Sequence, residues 1–98
     1  MDAEPITFLG RPLGPSFRSH TVTIRPGGTR PYEEAEWRDA LVVVECGAVE
    51  VECQAGGRRT FRAGEVLWLT GMGVRALHNE GQESAVLVAV SRRAAEQD

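Results

Sequence analysis

From Leu41 the chain reads Leu41-Val42-Val43-Val44-Glu45-Cys46, nearly continuous and β-branched, until Gly47 interrupts it. Val49-Glu50-Val51-Glu52-Cys53 then resumes with strict period two. That combination predicts two strands joined as a hairpin at Gly47-Ala48. In the second strand Val49, Val51 and Cys53 share one face and Glu50 and Glu52 the other, so only one face can be fully buried. Upstream, His20-Thr21-Val22-Thr23-Ile24-Arg25 alternates polar and β-branched residues and stops at Pro26-Gly27-Gly28, a strand ended by a turn. Downstream, a turn over 54–59, a strand over 60–62, a turn at Ala63-Gly64, a strand over 66–69, a loop over 70–73 and a strand over 74–77 follow in quick succession. Residues 84–91 form the last apolar strand, and 92–98 a polar tail too short for a stable helix. Pro5, Pro12, Pro15, Pro26 and Pro31 all fall in the first third, which predicts irregular or edge structure over 1–19 because proline lacks the ladder N–H. Short strands at even spacing, Gly-rich turns and no competing helical period argue for an all-β antiparallel sandwich or small barrel.

Composition narrows the function classes. A chain of 98 residues builds one domain with its own core, here about 20–91, and leaves no room for separate catalytic and cofactor domains. With 42% hydrophobic and 26% charged residues it is neither a disordered tail nor a membrane protein. Eleven basic residues, all Arg, against fourteen acidic ones give a net charge of -3 with no basic cluster, so nucleic acid is not an expected partner. The all-Arg usage reads as genome bias. Met1-Asp2-Ala3-Glu4-Pro5 carries two acids and no apolar run, making the cytoplasm the default location. Cys46 and Cys53 match neither a redox pair nor a zinc motif. In the expected hairpin their sulfurs would sit roughly 13 Å apart at ~3.4 Å per residue, so no disulfide is expected and both read as small buried hydrophobes.

Two spaced patterns then carry a family resemblance. The first reads Gly28-x5-Glu34-x-Glu36-x3-Ala40-x6-Gly47, the second Gly64-x5-Thr70-x-Met72-x2-Arg75-x3-Asn79, with sixteen residues between Gly47 and Gly64. The chain resembles a small single-domain bacterial cupin, a family of antiparallel β-barrels of double-stranded β-helix or jelly-roll type. In that family the first pattern is Gly, five residues, His-x-His, three or four residues, Glu, six residues, Gly. The second is Gly, five residues, Pro-x-Gly, two residues, His, three residues, Asn. The turn glycines and the asparagine are retained, as their role in backbone geometry implies. The three histidines and the glutamate that hold a metal in the family are replaced by Glu34, Glu36, Ala40 and Arg75, and Pro-x-Gly by Thr70-Gly71-Met72.

A transition-metal site of this type needs neutral imidazoles, which are missing, and Arg75 would place a permanent positive charge at the same centre as a hard cation. No metal and no cofactor are therefore expected. On a strand, parity puts Glu34 and Glu36 on one face, and the resemblance points both inward toward Arg75, implying a Glu–Arg contact where the metal would sit. Trp37, Trp68 and Met72 complete the expected ligand-binding set as pocket walls. Arg75 also has the simpler alternative of stacking on Trp37 or Trp68 at the barrel mouth. His20 and His78 read as surface or packing residues, His78 facing away from the pocket.

Three functions remain open. In the leading one the barrel binds a small molecule, Arg75 meeting an anionic group, and no residue is catalytic. In the second the chain is a dioxygenase- or isomerase-type enzyme using a carboxylate-rich metal site or acid/base chemistry at Glu34 or Glu36; an adjacent arginine lowers a carboxyl pKa, which disfavours a general acid. In the third the barrel is filled by its own side chains and the chain serves as a structural or partner-binding dimer. A homodimer is expected, with the apolar outward residues Leu41 and Val43 compatible with that pairing.

Overall fold

The structure is a computed structural model and describes residues 7–8, 11–12 and 17–92. A minimal ladder pairs β1 (Thr7–Phe8) with β2 (Arg11–Pro12). β3 (Phe17–Ile24), β5 (Ala40–Cys46), β8 (Val66–Trp68) and β10 (Ala85–Arg92) form one antiparallel sheet in the order β3-β10-β5-β8. β4 (Thr29–Pro31), β6 (Ala48–Cys53), β7 (Arg58–Arg62) and β9 (Val74–His78) form a second, in the order β4-β9-β6-β7. The only helical turn among the described residues is α1 (Glu34–Trp37). The expectation of an antiparallel all-β architecture holds, as two facing sheets rather than one closed ladder. Most of the irregular segment expected over 1–19 and the tail at 93–98 lie outside the described residues, while the early strand begins at Phe17, three residues before its predicted start.

Alternation places the core. Val22 and Ile24 from β3, Val42 and Val44 from β5, Leu87 and Ala89 from β10, Val49 and Val51 from β6 and Leu77 from β9 meet in one cluster between the sheets, with Trp37 and Leu69. Leu77 and Leu87 are fully buried, each stabilising the fold by about 1.5–3 kcal/mol relative to exposure. Tyr32, Phe61 and Met72 pack against this cluster from its rim. These side chains form the core between the sheets.

One element of the predicted topology is corrected. β5 and β6 do not pair; β5 lies between β10 and β8, and β6 between β9 and β7. Gly47 carries the chain from one sheet to the other with φ +71, and a Cβ there would lie 2.5 Å from the Ser84 carbonyl oxygen at the start of β10. No side chain fits that approach, so Gly47 marks a corner, not a hairpin tip. The hairpin is β6–β7, closed by Cys53 N–H to the Gly57 carbonyl at 2.8 Å. Cys46 and Cys53 are both free thiols, Cys46 exposed and Cys53 half-buried, so neither is the small buried hydrophobe expected of a free cysteine.

Asn79, just past β9, ties the strand ends together. It is 1% exposed, and its Nδ2 donates to the carbonyls of Ile24 and Glu83, both at 2.8 Å, while its Oδ1 accepts from Gly81 N–H at 2.9 Å. The retained asparagine of the second pattern therefore has the backbone-fixing role expected of it.

Candidate functional site

The site is built around α1. Tyr32 N–H donates to the Arg75 carbonyl at 3.0 Å, which holds the end of β4 against β9 before the chain turns into α1. At the other end Asp39, with φ +56, donates its N–H to Thr70 Oγ1 at 3.0 Å, and that hydroxyl donates to the Trp37 carbonyl at 3.4 Å. Thr70 stands where the family's second pattern has proline, and its hydroxyl pins the helical turn to the glycine loop.

Helical geometry overturns the expected disposition of the carboxylates. Glu34 and Glu36 occupy a turn of about 100° per residue, not a strand, so they diverge to opposite flanks of α1. On one flank Glu34 accepts from the Tyr32 hydroxyl at 3.0 Å and lies 3.9 Å from Arg38 Nε. Burial and the Glu34 carboxylate push the Tyr32 pKa up to about 12. On the other flank Glu36 binds Arg30 Nη2 and lies 3.8 Å from His20 Nε2.

Arg75 does not point inward toward the two glutamates, as the resemblance implied. The register slips between Glu52 and Cys53, leaving Arg75 as the extra residue of β9, and its side chain emerges 65% exposed with Nη1 3.6 Å from Glu52. It shares a cleft with Glu34 without pairing to it: both line a space of about 600 Å³ between α1 and the loop Thr70–Gly73, with Tyr32 and Gln54. Gly71 and Gly73, at φ +83 and +70, give that loop a path that side-chain-bearing residues rarely take. Met72 packs on the core beneath the loop.

The two tryptophans separate. Trp37 is fully buried, and Trp68 is 47% exposed on the outer face of the β3-β10-β5-β8 sheet. The pocket-wall role expected of Trp68 is therefore not one its position provides: β8 alternates, and Leu67 takes the inward position. Among the described residues neither tryptophan stacks on Arg75; the cation–π contact is Arg59 over Phe61 at 5.3 Å.

His78 faces away from the cleft, as expected, and enters a polar network on the outer face of the second sheet. Its Nε2 lies 2.7 Å from Glu52 Oε1 and its Nδ1 3.0 Å from Thr29 Oγ1. The His78 hydrogen bond, chiefly, and the nearby Arg58 and Arg75 hold the Glu52 carboxyl below the usual carboxylate range. Sequence reasoning missed this network and missed His20 and Arg30. The signal for His20 was present: it shares parity with Val22 and Ile24 and so belongs to the inner face of β3.

The donor set does not fit the transition metal of the resembled family. Ala40 is a buried core residue, Glu34 and Glu36 diverge, and among the described residues no three His, Cys, Asp or Glu side chains converge as metal ligands. No step through a metal is drawn.

No family model and no curated protein matches the chain. Solved structures do. A cupin 2 conserved barrel domain protein from Salinispora arenicola aligns with TM-score 0.64 and 24% identity over 85% of this chain and 68% of that one. The chain has the cupin fold. The cupin 2 domain of an XRE family transcriptional regulator from Enterobacter cloacae aligns with TM-score 0.56 and 20% identity over 76% of this chain and 79% of that domain. A cupin-superfamily sugar phosphate isomerase from Silicibacter pomeroyi aligns with TM-score 0.59 and 21% identity over 81% of this chain but 52% of its own length. At these identities the likeness is one of fold. No described helix is long and apolar enough to cross a membrane.

Proposed function

We propose that this cupin-fold protein binds a small molecule carrying an anionic group in the cleft between α1 and the Thr70–Gly73 loop, without a transition metal. The observation that carries this reading is Arg75. Its guanidinium is 65% exposed, its ion pair among the described residues being the one with Glu52 at 3.6 Å, and it lines a cleft whose volume of about 600 Å³ falls within the range of small-molecule sites. Gln54 and the glycine loop supply neutral hydrogen-bonding groups beside it. The carboxylates have no acid role in this reading, since Glu34 and Glu36 each lie against an arginine. The test is calorimetric titration with succinate, citrate and glucose phosphate, the last because one neighbour in fold is a sugar phosphate isomerase. Saturable binding by at least one of them, weakened about tenfold or more in Arg75→Ala, is expected. Equal affinity in Arg75→Ala, or stoichiometric metal that survives purification and is lost with Glu34→Ala, would overturn the reading.

A second reading, pairing of two copies, has its own support. Leu41, Val66 and Trp68 are the large hydrophobic residues exposed on the described surface, and the register Leu41↔Trp68 and Val43↔Val66 makes them one patch on the outer face at the β8 edge. Val43, Val88 and Val90 on the same face are buried, so the exposed patch is confined to the β8 edge. Light scattering on the intact chain should give a dimer mass that Trp68→Glu shifts to the monomer; a monomeric wild type rejects this reading alone.

A further inference from the structure

The cleft beside α1 carries charge of both signs. Arg75 and Glu34 line it, and the rest of its lining is uncharged. The pairing of β4 with β9 brings the two there: Tyr32 N–H donates to the Arg75 carbonyl at 3.0 Å, so Tyr32 stands opposite Arg75, and Glu34 follows two residues later as the first residue of α1. The two charges do not cancel by contact. Among the described residues Arg75 Nη1 pairs with Glu52 at 3.6 Å and Glu34 Oε2 with Arg38 Nε at 3.9 Å, both too long for hydrogen bonds. Their side chains are 65% and 48% exposed, respectively.

The Tyr32 hydroxyl donates to Glu34 Oε1 at 3.0 Å, which fixes the carboxylate while Oε2 keeps its capacity to accept. Glu36, on the other flank of α1, is the contrast: Arg30 already holds it, beside the His20 ring that tilts against Trp37 at 5.7 Å. Val74 gives the cleft an apolar side chain, and at Gly71 and Gly73 even a Cβ would meet nothing within 4 Å. Methylene groups therefore have room beside the charges.

A purely anionic ligand gains at Arg75 and is repelled by Glu34, and a purely cationic one meets the reverse. A molecule that carries both charges gains at both residues. Building on the reading of this cleft as an anion site, we propose that its ligand is a zwitterionic amino acid, the carboxylate bound by Arg75 and the ammonium donating to Glu34. Arg75 then supplies the affinity shared by all small carboxylates, and Glu34 selects those that also carry an amine.

Calorimetric titration of the intact chain at neutral pH separates the two contributions. The probes are glycine, β-alanine, γ-aminobutyrate and δ-aminovalerate, each set against the fatty acid that carries a methyl group in place of the ammonium. At least one amino acid should bind about three- to fivefold more tightly than its fatty-acid counterpart, the scale of one solvent-exposed ion pair. Glu34→Gln keeps an acceptor for the Tyr32 hydroxyl and should abolish that gain without weakening the fatty acid. Arg75→Ala should weaken both. Amino acids that bind no more tightly than their counterparts, or a gain that survives Glu34→Gln, overturn the zwitterion assignment and leave the anion reading standing. Saturation by none of the probes overturns the proposal, and undiminished affinity in Arg75→Ala overturns the anion reading beneath it.

Discussion

Replacing Asn79 with alanine removes three hydrogen bonds at one buried point: two from Nδ2 to the carbonyls of Ile24 and Glu83, and one from Gly81 N–H to Oδ1. These bonds tie the end of β3, the exit of β9 and the entry to β10 to a single side chain. A net contribution of about 0.5–1.5 kcal/mol per bond, with backbone groups left unsatisfied in a buried setting, gives a loss of about 2–4 kcal/mol. For a domain of this size that is a large share of a total stability of ~5–15 kcal/mol and lowers Tm by roughly 10–30 °C. The assay is urea unfolding at neutral pH followed by tryptophan fluorescence, with the slope m checked for constancy so that the midpoint reports stability alone. Asn79→Asp separates hydrogen bonding from volume: it keeps the shape and the acceptor for Gly81 but turns an oxygen toward two carbonyls, so it should be destabilised at least as much as the alanine variant. A loss below about 1 kcal/mol in Asn79→Ala, or an Asn79→Asp variant near wild type, would refute the reasoning.

Gly47→Ala should cost about 2–4 kcal/mol, combining the left-handed backbone at φ +71 with a Cβ 2.5 Å from the Ser84 carbonyl oxygen. Gly64→Ala, also at positive φ but with nothing within 4 Å, should cost only about 1–2 kcal/mol; equal losses in the two variants would remove the close approach from the argument. Glu52 has a folded pKa below its unfolded value, so its carboxylate contributes stability above the unfolded pKa near 4.5 and loses it as pH falls through the folded one. Wild type and Glu52→Gln should therefore differ in Tm at neutral pH and converge in acid; a difference that persists unchanged at low pH would sink the assignment.

Strand existence was legible locally because a half-buried strand needs only period two and a turn at each end. Val49, Val51 and Leu77 are inward, Glu50 and Glu52 outward, as their alternation predicts. Asn79 and the turn glycines were readable through the spaced patterns, because their demands are those of the backbone. Pairing was not legible: the alternation on β5 and β6 is the same whether they form a hairpin or lie in facing sheets, and the approach of Ser84 to Gly47, 37 positions apart in the chain, decides between them. The candidate site suffered most. Over Glu34–Trp37 a strand and a single helical turn read alike in four residues, yet they place Glu34 and Glu36 on one face or on two. Arg75 lost its inward parity to a bulge, a feature of two strands rather than of one. By itself, then, the sequence determined the strands, their inward faces and the turns, since those depend on neighbours in the chain. Tertiary structure alone decided sheet membership, the bulge at Arg75 and the meeting of His20, Arg30, Glu36 and Trp37, since these depend on residues that only packing brings together.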